Sequence, residues 1–500
     1  MILSKENLPF IDASRCNKPL PETFTYPEKV LQFGTGVLLR GLPDYYIHQA
    51  NQQGVFKGRV VVVKSTSGDA SDFDTQDGLY TLCIRGVEAG DLISENLISS
   101  AISRVLKAQT DWNKILDVAI SNDLEIIISN TTEIGITFQA ESIKDVIPQS
   151  FPGKLLAVLF ARYNAFLGDP QKGLVIVPTE LIPDNASKLK TILLELARYN
   201  ELPDKFIHWL NTSNSFCNTL VDRIVPGKPD DDMAQELARE LGYRDALLAI
   251  AEPYSLWAIE GDESIAAKLS FAKVHSSIVI NPDIEIYREL KVRLLNGTHT
   301  LASGMAVLAG ILTVKAGMKY INFKRFIEKL MHEEISVSIP YEVSPKLAFD
   351  FALSVIDRFS NPFIEHLWQQ ISFQYSLKMK IRVLPLFLKY VNDTGKLPRL
   401  MSFGMAAFLR FMQFAEEKDG AVRGLFAGLS YPIKDDSYAL FRKHSNLAFP
   451  ADYIHQVLQE KDFWGTDLSQ ITGLEEQLVK DYLEIEKLGM PRAIQRIISN

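Results

Sequence analysis

Three residues near the middle of the chain have the types and spacing that suit proton transfer at an alcohol carbon. Lys291 is followed after five positions by Asn296 and after three more by His299. A lysine whose pKa is lowered by burial can act as general base toward a secondary alcohol, and an asparagine amide can donate to the developing oxyanion. On an α-helix Asn296 would lie roughly 140° and His299 roughly 80° around the axis from Lys291, so we expect all three to border one cleft.

The same residues also allow a purely structural interpretation. An ion-paired Lys291, a helix interrupted at Asn296 and a hydrogen-bonded core histidine at position 299 would explain the pattern without catalysis. Spacing alone leaves both interpretations open.

A glycine turn, Gly34–Thr35–Gly36, is the second feature with chemical potential. It lies between the strand-like run Lys29–Phe33 and a predicted helix, roughly residues 38–53. Glycines at this place let backbone N–H groups approach a pyrophosphate at a helix N-terminus. The third glycine of G-x-G-x-x-G is replaced by Leu39, so a tight turn without a ligand is the alternative.

The end of the second predicted strand bears on the choice between NAD and NADP. NAD sites often have an acidic residue there to hold the ribose hydroxyls, but the run Arg59–Lys64 ends in a lysine and the nearest acids are Asp69 and Asp72. Lys64 can accept a 2′-phosphate or simply face solvent. This position therefore leaves the cofactor choice open.

The elements that must position these residues follow two patterns. Up to about residue 280, apolar runs such as Arg59–Lys64, Leu124–Ser129 and Leu174–Pro178 alternate with helical stretches, which predicts a parallel α/β sheet. Beyond Pro282, apolar spacing of three and four residues predicts an almost wholly helical region. We therefore predict an α/β domain at residues 1–280 and a helical domain at residues 281–500, with the active site in the cleft between them.

Composition excludes several classes of protein. The 500 residues are 47% hydrophobic with a formal net charge of −8, which is typical of a globular chain and disfavours a nucleic-acid partner. Cys16, Cys83 and Cys217 lie too far apart for a disulfide framework or a cysteine zinc site. The charge-free run Leu294–Val314 contains several polar residues, so it predicts a buried helix rather than a membrane span. We expect a cytoplasmic protein with no membrane partner and predict no particular oligomeric state.

Ordered blocks over most of the chain match one enzyme family. The family has Lys, Asn and His at the spacing of positions 291, 296 and 299, and a Gly-x-Gly with a downstream Arg, here Gly34, Gly36 and Arg40. Other matching blocks are Thr131–Gly135, Val221–Ile224 and Arg358–Pro362. On these blocks the chain resembles the long-chain mannitol dehydrogenase family of metal-independent polyol and sugar-acid dehydrogenases.

The resemblance implies an α/β Rossmann-like N-terminal domain, a mostly α-helical C-terminal domain, NAD as cofactor and no metal. It implies that Lys291 is the general acid and base, assisted by Asn296 and His299. The implied cofactor-binding residues are Phe33, Gly34, Thr35, Gly36, Arg40, Lys64, Thr132, Glu133 and Asp222. The implied substrate-binding residues are Asn185, Arg358, His366 and Lys378.

Within the family, stretches such as Gln32–Gly34, Thr75–Tyr80 and Asn214–Cys217 resemble the branch that acts on hexuronic-acid derivatives. This implies interconversion of D-altronate and D-tagaturonate with a sugar acid as the small-molecule partner. Reduction of fructuronate and oxidation of a polyol of the mannitol type are the alternatives within enzymes. A catalytically inactive dinucleotide sensor is the alternative outside them, and the intact trio at 291, 296 and 299 argues against it.

One substitution and one charge requirement distinguish this chain from the polyol branch. An asparagine that helps to hold the reacting oxygen in that branch is replaced by Leu181, and Asn185 is the candidate substitute. A uronate carboxylate also needs a local cation in a chain of net charge −8. Lys378 is the first choice because the family has a basic residue there, with His366 and Arg382 as further candidates. A solvated helix face is the other interpretation of Lys378.

Overall fold

The computed structural model describes residues 1–132, 134–144, 146–418, 421–447 and 449–499. These residues form two compact units. The first unit consists of Met1–Arg85 and Leu92–Ile284, and the second of Gly86–Asp91 together with the described chain from Glu285 onward. The glycine turn therefore belongs to the first unit, and Lys291, Asn296 and His299 belong to the second.

The first unit alternates strands and helices, and two of its strands extend into Gly86–Asp91 of the second unit. Its strands are β1 (Glu28–Phe33), β2 (Arg59–Lys64), β3 (Tyr80–Glu88), β4 (Asp91–Ser99), β5 (Ile102–Lys107), β6 (Ile126–Ser129), β7 (Val175–Pro178), β8 (Ser215–Phe216), β9 (Thr219–Asp222), β10 (Ala249–Ala251), β11 (Leu256–Glu260) and β12 (Ile278–Asn281). Its α-helices are α1 (Val37–Gly41), α2 (Pro43–Gln52), α3 (Ser71–Thr75), α4 (Trp112–Ala119), α5 (Phe151–Ala165), α6 (Asn185–Tyr199), α7 (Asp204–Thr212), α8 (Asp231–Leu241) and α9 (Glu263–Lys268).

The main sheet has the strand order β5-β2-β1-β6-β7-β8, and its pairings are parallel. The order reverses between β1 and β6, and open α/β sheets bind ligands at the carboxyl ends of strands beside such a reversal. The glycine turn follows β1 directly and so lies at this edge. The predicted Rossmann-like N-terminal domain is confirmed.

Both faces of this sheet are buried. In β2, Val60 and Val62 belong to one core cluster, whereas Val61 and Val63 belong to the other, because successive side chains of a strand point to opposite faces. A strand covered on both sides has no polar face, which explains the uninterrupted valine run.

The helix predicted over residues 38–53 is interrupted. α1 ends at Gly41, Leu42 has φ −132° and ψ −80°, and α2 begins at Pro43. Proline lacks an N–H and suits the first turn of a helix. Close packing also limits this corner, because a Cβ on Gly41 would lie 2.8 Å from Val225. The single predicted helix is therefore corrected to two.

The second unit is mostly helical. Its α-helices are α10 (Glu285–Leu290), α11 (Thr298–Leu308), α12 (Val314–Gly317), α13 (Ile321–Lys329), α14 (Pro345–Ser360), α15 (Trp368–Ile371), α16 (Tyr375–Lys378), α17 (Leu384–Thr394), α18 (Arg399–Phe411), α19 (Tyr438–His444), α20 (Pro450–Leu458), α21 (Lys461–Trp464), α22 (Leu474–Leu488) and α23 (Met490–Ser499). Three segments of the described chain are π-helical: π1 (Lys291–Gly297), π2 (Leu330–Ile335) and π3 (Met379–Val383).

The second unit also contains an antiparallel sheet of β13 (Glu416–Lys418), β14 (Ala421–Phe426) and β15 (Leu429–Pro432). The expectation of an almost wholly helical second half is corrected to this extent. The predicted buried helix in the run Leu294–Val314 is confirmed over α11, where every residue is buried. Among the described residues, no helix combines the length and apolarity needed to cross a membrane.

Candidate active site

The two glycines of the turn after β1 have different roles. Gly34 has φ +130°, and a Cβ there would lie 2.9 Å from the carbonyl oxygen of Asn130 and 2.9 Å from Cδ1 of Leu39. A Cβ on Gly36 would meet no atom of the described residues within 4 Å, and no described side chain caps the start of α1. The fold therefore requires glycine at position 34, whereas the open side of Gly36 forms a cradle that a ligand can enter.

Arg40 stabilises this turn through a hydrogen bond to its backbone. Its Nη1 donates to the carbonyl of Thr35 at 2.8 Å, and its guanidinium lies 5.7 Å from the ring centroid of Phe73 and 5.8 Å from that of Tyr80. The side chain is buried, which lowers the pKa of Arg40 from its usual value. The structure thus brings Thr35 and Arg40 together, and Arg40 positions the turn through the Thr35 peptide.

A cavity of about 370 Å³ lies at the carboxyl ends of β2 and β5 and is lined in part by Thr66, Asp69 and Lys107. Lys64 donates to Thr66 Oγ1 at 3.3 Å, so it lies next to this cavity. Hydrogen bonds from Ser71 lower the pKa of Asp69, whose carboxylate is 3.8 Å from Lys107 Nζ. The anionic carboxylate of Asp69 therefore lies in the same region as Lys64 and Lys107, at the strand ends where sheets of this type bind a ribose.

The ends of β6 and β7 are joined by Glu180, which belongs to the polar segment that follows β7 in the sequence. Its Oε1 accepts from the backbone N–H of Thr131 at 2.9 Å, and its Oε2 accepts from Ser129 Oγ at 3.2 Å. Burial raises the pKa of Glu180. Thr132, predicted to bind the cofactor, follows this junction and is exposed, while Glu133 lies outside the described residues.

Asn185 is fully buried and its amide is satisfied within the protein. Its Nδ2 donates at 3.1 Å to the carbonyls of Pro178 and Glu180 and to Thr219 Oγ1. Its Oδ1 accepts from the backbone N–H groups of Ala186 and Thr219. The amide has no group left for a substrate in this conformation, so the contacts do not favour the predicted role of Asn185 as substitute for the amide missing at position 181.

Phe33 and Asp222 were also predicted to bind the cofactor. The Phe33 ring is buried with its centroid 5.2 Å from that of Phe151, so core packing accounts for this side chain. Asp222 is buried at the end of β9. The next residue, Arg223, donates to the carbonyl of Gly41 at 2.6 Å and thereby fastens this segment to the end of α1.

In the second unit, Lys291 and Asn296 lie on π1 and are half-buried. Hydrogen bonds of a π-helix join residues five apart, so Asn296 lies about one turn beyond Lys291 on the same face. This corrects the α-helical separation of roughly 140°. Lys291 and Asn296 therefore lie close to the same face of π1.

His299 lies in α11, directly after π1. Its ring stacks on Phe359 with centroids 4.2 Å apart and an interplanar angle of 15°, and its Nε2 is buried without a hydrogen-bond partner in the described chain. Burial is the largest cause that lowers the pKa of His299 well below its usual range. The ring is therefore neutral near pH 7 and can exchange hydrogen bonds with a hydroxyl group.

Basic side chains from other segments lie near His299 and lower its pKa further. They are Arg358 of α14, His366, Lys378 of α16 and Arg382 of π3. Lys378 Nζ donates to the carbonyl of Ile371 at 2.9 Å, and burial lowers the pKa of Lys378 to about 8. Within the described chain, neither Lys378 nor Arg382 forms an ion pair with an acidic residue. The cluster can therefore accept an anion.

Arg293, which no motif marked, joins π1 to π3. It is buried, and its Nη1 donates to the carbonyl oxygens of Ile381 at 2.7 Å and Arg382 at 3.0 Å. Its Nε lies 2.8 Å from Glu289 Oε2. The spacing of Glu289 and Arg293 is visible in the sequence, but an i,i+4 pair by itself indicates only helix stabilisation.

Two family models match the chain. The mannitol dehydrogenase Rossmann domain matches residues 28–273, and the mannitol dehydrogenase C-terminal domain matches residues 283–486. The chain belongs to the mannitol dehydrogenase family. The resemblance found in the sequence blocks is thereby confirmed, and the protein is an oxidoreductase.

Curated relatives from this family include altronate oxidoreductase of Bacillus subtilis (strain 168), which is 37% identical over 487 residues, covering 96% of this chain and 98% of the relative. Altronate oxidoreductase of Escherichia coli O7:K1 (strain IAI39 / ExPEC) is 37% identical over 482 residues, covering 94% and 97%.

Solved structures of two dehydrogenases share the fold. D-sorbitol dehydrogenase in substrate-free form matches with a TM-score of 0.80 at 19% identity, covering 99% of this chain and 100% of the other. The ternary complex of Pseudomonas fluorescens mannitol 2-dehydrogenase with NAD and D-mannitol matches with a TM-score of 0.66 at 20% identity, covering 100% of both chains.

The Rossmann domain and the open cradle at Gly36 fit a nicotinamide dinucleotide cofactor. In the part of the chain that is described, no group of three or more His, Cys, Asp or Glu side chains is arranged to hold a metal ion.

Proposed function

We propose that the protein catalyses the reversible NAD-linked oxidation of D-altronate to D-tagaturonate, a reaction of hexuronate breakdown. The observation that carries this proposal is the basic cluster near His299, in which Lys378 and Arg382 have no acidic ion-pair partner in the described chain. A sugar acid supplies the missing negative charge, whereas a polyol does not. The identity of 37% to proteins named altronate oxidoreductase supports the same substrate.

Lys291 is the proposed general acid and base. It takes the proton of the reacting hydroxyl during oxidation and returns a proton to the carbonyl oxygen during reduction. Asn296, on the same face of π1, donates to that oxygen as negative charge develops on it. The neutral His299 uses its unpartnered Nε2 to bind a neighbouring substrate hydroxyl, which orients the reacting carbon.

The first unit is proposed to hold NAD. When bound, NAD would supply the hydride acceptor for oxidation of the carbinol carbon, and NADH the hydride donor for the reverse reduction. The open side of Gly36 and the N–H groups at the start of α1 would hold the pyrophosphate, and Arg40 keeps the Thr35 peptide in place. Asp69, held anionic by Ser71, would accept the ribose hydroxyls and repel a 2′-phosphate.

Comparison of kcat/KM for NADH and NADPH tests the cofactor assignment. We expect NADH to be preferred, and the variant Asp69→Ala to narrow that preference because the repelling charge is removed. The variant Lys64→Ala should leave the kcat/KM for NADH unchanged. A wild-type preference for NADPH that Lys64→Ala abolishes would overturn the assignment and identify Lys64 as the phosphate contact.

Oxidation of NADH with D-tagaturonate, D-fructuronate and D-fructose in parallel tests the substrate assignment. We expect the highest kcat/KM with tagaturonate, and we expect activity to survive dialysis against EDTA because Lys291 handles the proton. A preference for fructuronate would move the assignment to another sugar acid. A preference for fructose would contradict the role given to the basic cluster. Retained NADH binding without turnover of any ketose would indicate a non-catalytic dinucleotide-binding protein.

A further inference from the structure

Arg382 is a half-buried cation with little to bind in the protein itself. Its one polar side-chain contact in the described chain joins Nη1 to Thr300 Oγ1 at 3.5 Å, which is at the outer limit of a hydrogen bond. Arginine has five N–H donors and keeps its charge in proteins. Most of these donors therefore lack a partner, and burial, with no acidic residue offsetting it, lowers the pKa of Arg382.

The position of Arg382 relates it to the proposed catalytic residues. Thr300 Oγ1, the group nearest to its guanidinium, donates to the carbonyl of Asn296 at 2.7 Å. The backbone carbonyl of Arg382 accepts a hydrogen bond from Nη1 of Arg293 at 3.0 Å. Arg293 belongs to the same π1 segment as Lys291. The guanidinium of Arg382 is thus held in a fixed position relative to the groups that would act on the substrate.

Lys378 differs from Arg382 in its hydrogen bonding and in the charge that lies near it. Its ammonium group already donates to the carbonyl of Ile371 at 2.9 Å, and the carboxylate of Asp435 is near enough to raise its pKa against the effect of burial. An ammonium is also a point charge, whereas the planar guanidinium matches both oxygens of a carboxylate.

We propose that Arg382 binds the substrate carboxylate through both arms of its guanidinium and thereby selects sugar acids over neutral sugars. This inference rests on the proposed sugar-acid function. Lys378 then contributes attraction at longer range and a donor for a sugar hydroxyl. Burial of an unpaired cation costs stability, and the bound carboxylate offsets that cost.

The experiment compares D-tagaturonate with its methyl ester, which removes the charge and keeps the sugar. Wild-type protein should prefer the acid, and Arg382→Met should raise KM for the acid about 10- to 150-fold with little change for the ester. Arg382→Lys should give an intermediate preference. Lys380→Gln, a change of charge in the same π3 segment, is the matched control and should leave both KM values unchanged.

Thermal unfolding supplies a second measurement. Arg382→Met should have an unchanged or higher Tm, because an unpaired half-buried charge is lost, and its affinity for NADH should be unchanged. An Arg382→Met variant that keeps the full preference for the acid overturns the inference, and so does one that loses acid and ester equally or unfolds at a lower Tm. A wild-type protein that does not reduce tagaturonate instead overturns the proposed function.

Discussion

The guanidinium of Arg293 donates to the backbone carbonyl of Arg382 at 3.0 Å, and so one side chain links two π-helical segments. One segment carries Lys291 and Asn296, and the other carries Arg382 four residues after Lys378. The buried charge of Arg293 is balanced by Glu289 at 2.8 Å. The groups proposed for proton transfer and those proposed for anion binding are thereby held in one fixed arrangement.

Loss of the hydrogen bonds from Arg293 to π3 should lower activity, even though Arg293 has no proposed contact with the substrate. We expect Arg293→Gln to reduce kcat/KM by about 10- to 100-fold and to lower the Tm, because two hydrogen bonds to a charged donor are lost. The double variant Arg293→Gln/Glu289→Gln removes the stranded carboxylate and should recover Tm but not activity. Lys346→Gln, which breaks the exposed pair with Asp350, is the control and should change neither. Full activity in the double variant would contradict the role of the link.

Replacement of Lys291 should separate chemistry from cofactor binding. We expect Lys291→Ala to lose roughly 10²- to 10⁴-fold in kcat, the usual contribution of a general acid or base. NADH affinity, measured by fluorescence titration, should stay at the wild-type value. Added primary amines should restore part of the activity by entering the space of the lost side chain. Near-full activity of the variant would exclude Lys291 as the proton carrier.

The two glycines of the turn predict opposite phenotypes. Gly36→Ala should fold with a wild-type Tm, because its Cβ meets no atom within 4 Å in the described part of the chain. It should weaken NADH binding about tenfold or more because the methyl group enters the pyrophosphate cradle. Gly34→Ala should lower the Tm, since Gly34 has φ +130° and the carbonyl oxygen of Asn130 would lie 2.9 Å from the new Cβ. Wild-type NADH affinity in Gly36→Ala would show that the dinucleotide does not approach this side of the turn.

The pH dependence of substrate capture should report Lys378. Because the pKa of Lys378 is lowered to about 8, this side chain is charged below that pH and neutral above it. We expect kcat/KM for tagaturonate, which reports the free enzyme, to fall by up to roughly tenfold as pH rises through 8. Lys378→Arg keeps its charge throughout and should remove this inflection. An unchanged profile in Lys378→Arg would assign the inflection to another group.

The four central strands of the main sheet, β2, β1, β6 and β7, could be predicted because burial on both faces imposes a pattern on the sequence. Arg59–Lys64 was predicted with its observed bounds, and Leu174–Pro178 differs from β7 by one residue. The sheet of β13, β14 and β15 could not be predicted in this way. Its strands are short and contain exposed and charged positions such as Arg423, so they show no clear alternation of apolar and polar residues.

The residue types of the candidate site could be predicted, but their relation in space could not. Over the seven residues of π1, the spacing of apolar side chains cannot distinguish an α-helix of 3.6 residues per turn from the wider turn of a π-helix. The sequence therefore predicts different helix faces for Lys291 and Asn296. The satisfied amide of Asn185 depends on Thr219 and Pro178, which come from distant parts of the sequence. Arg293 donates to backbone carbonyls, and Glu180 accepts from a backbone N–H and from the Ser129 hydroxyl. Such contacts with distant parts of the sequence leave no motif.

The wide turn of π1 makes the number of residues here as important as their identity. Removal of one residue between Lys291 and Gly297 would let the helix close with ordinary hydrogen bonds four residues apart, and everything after it would rotate by about 100°. His299 would then leave its stack on Phe359 even though every named side chain was still present. Apart from Lys291, Arg293 and Asn296, this stretch should tolerate substitution better than insertion or deletion, so a gap here would be a sign of lost activity in any related sequence.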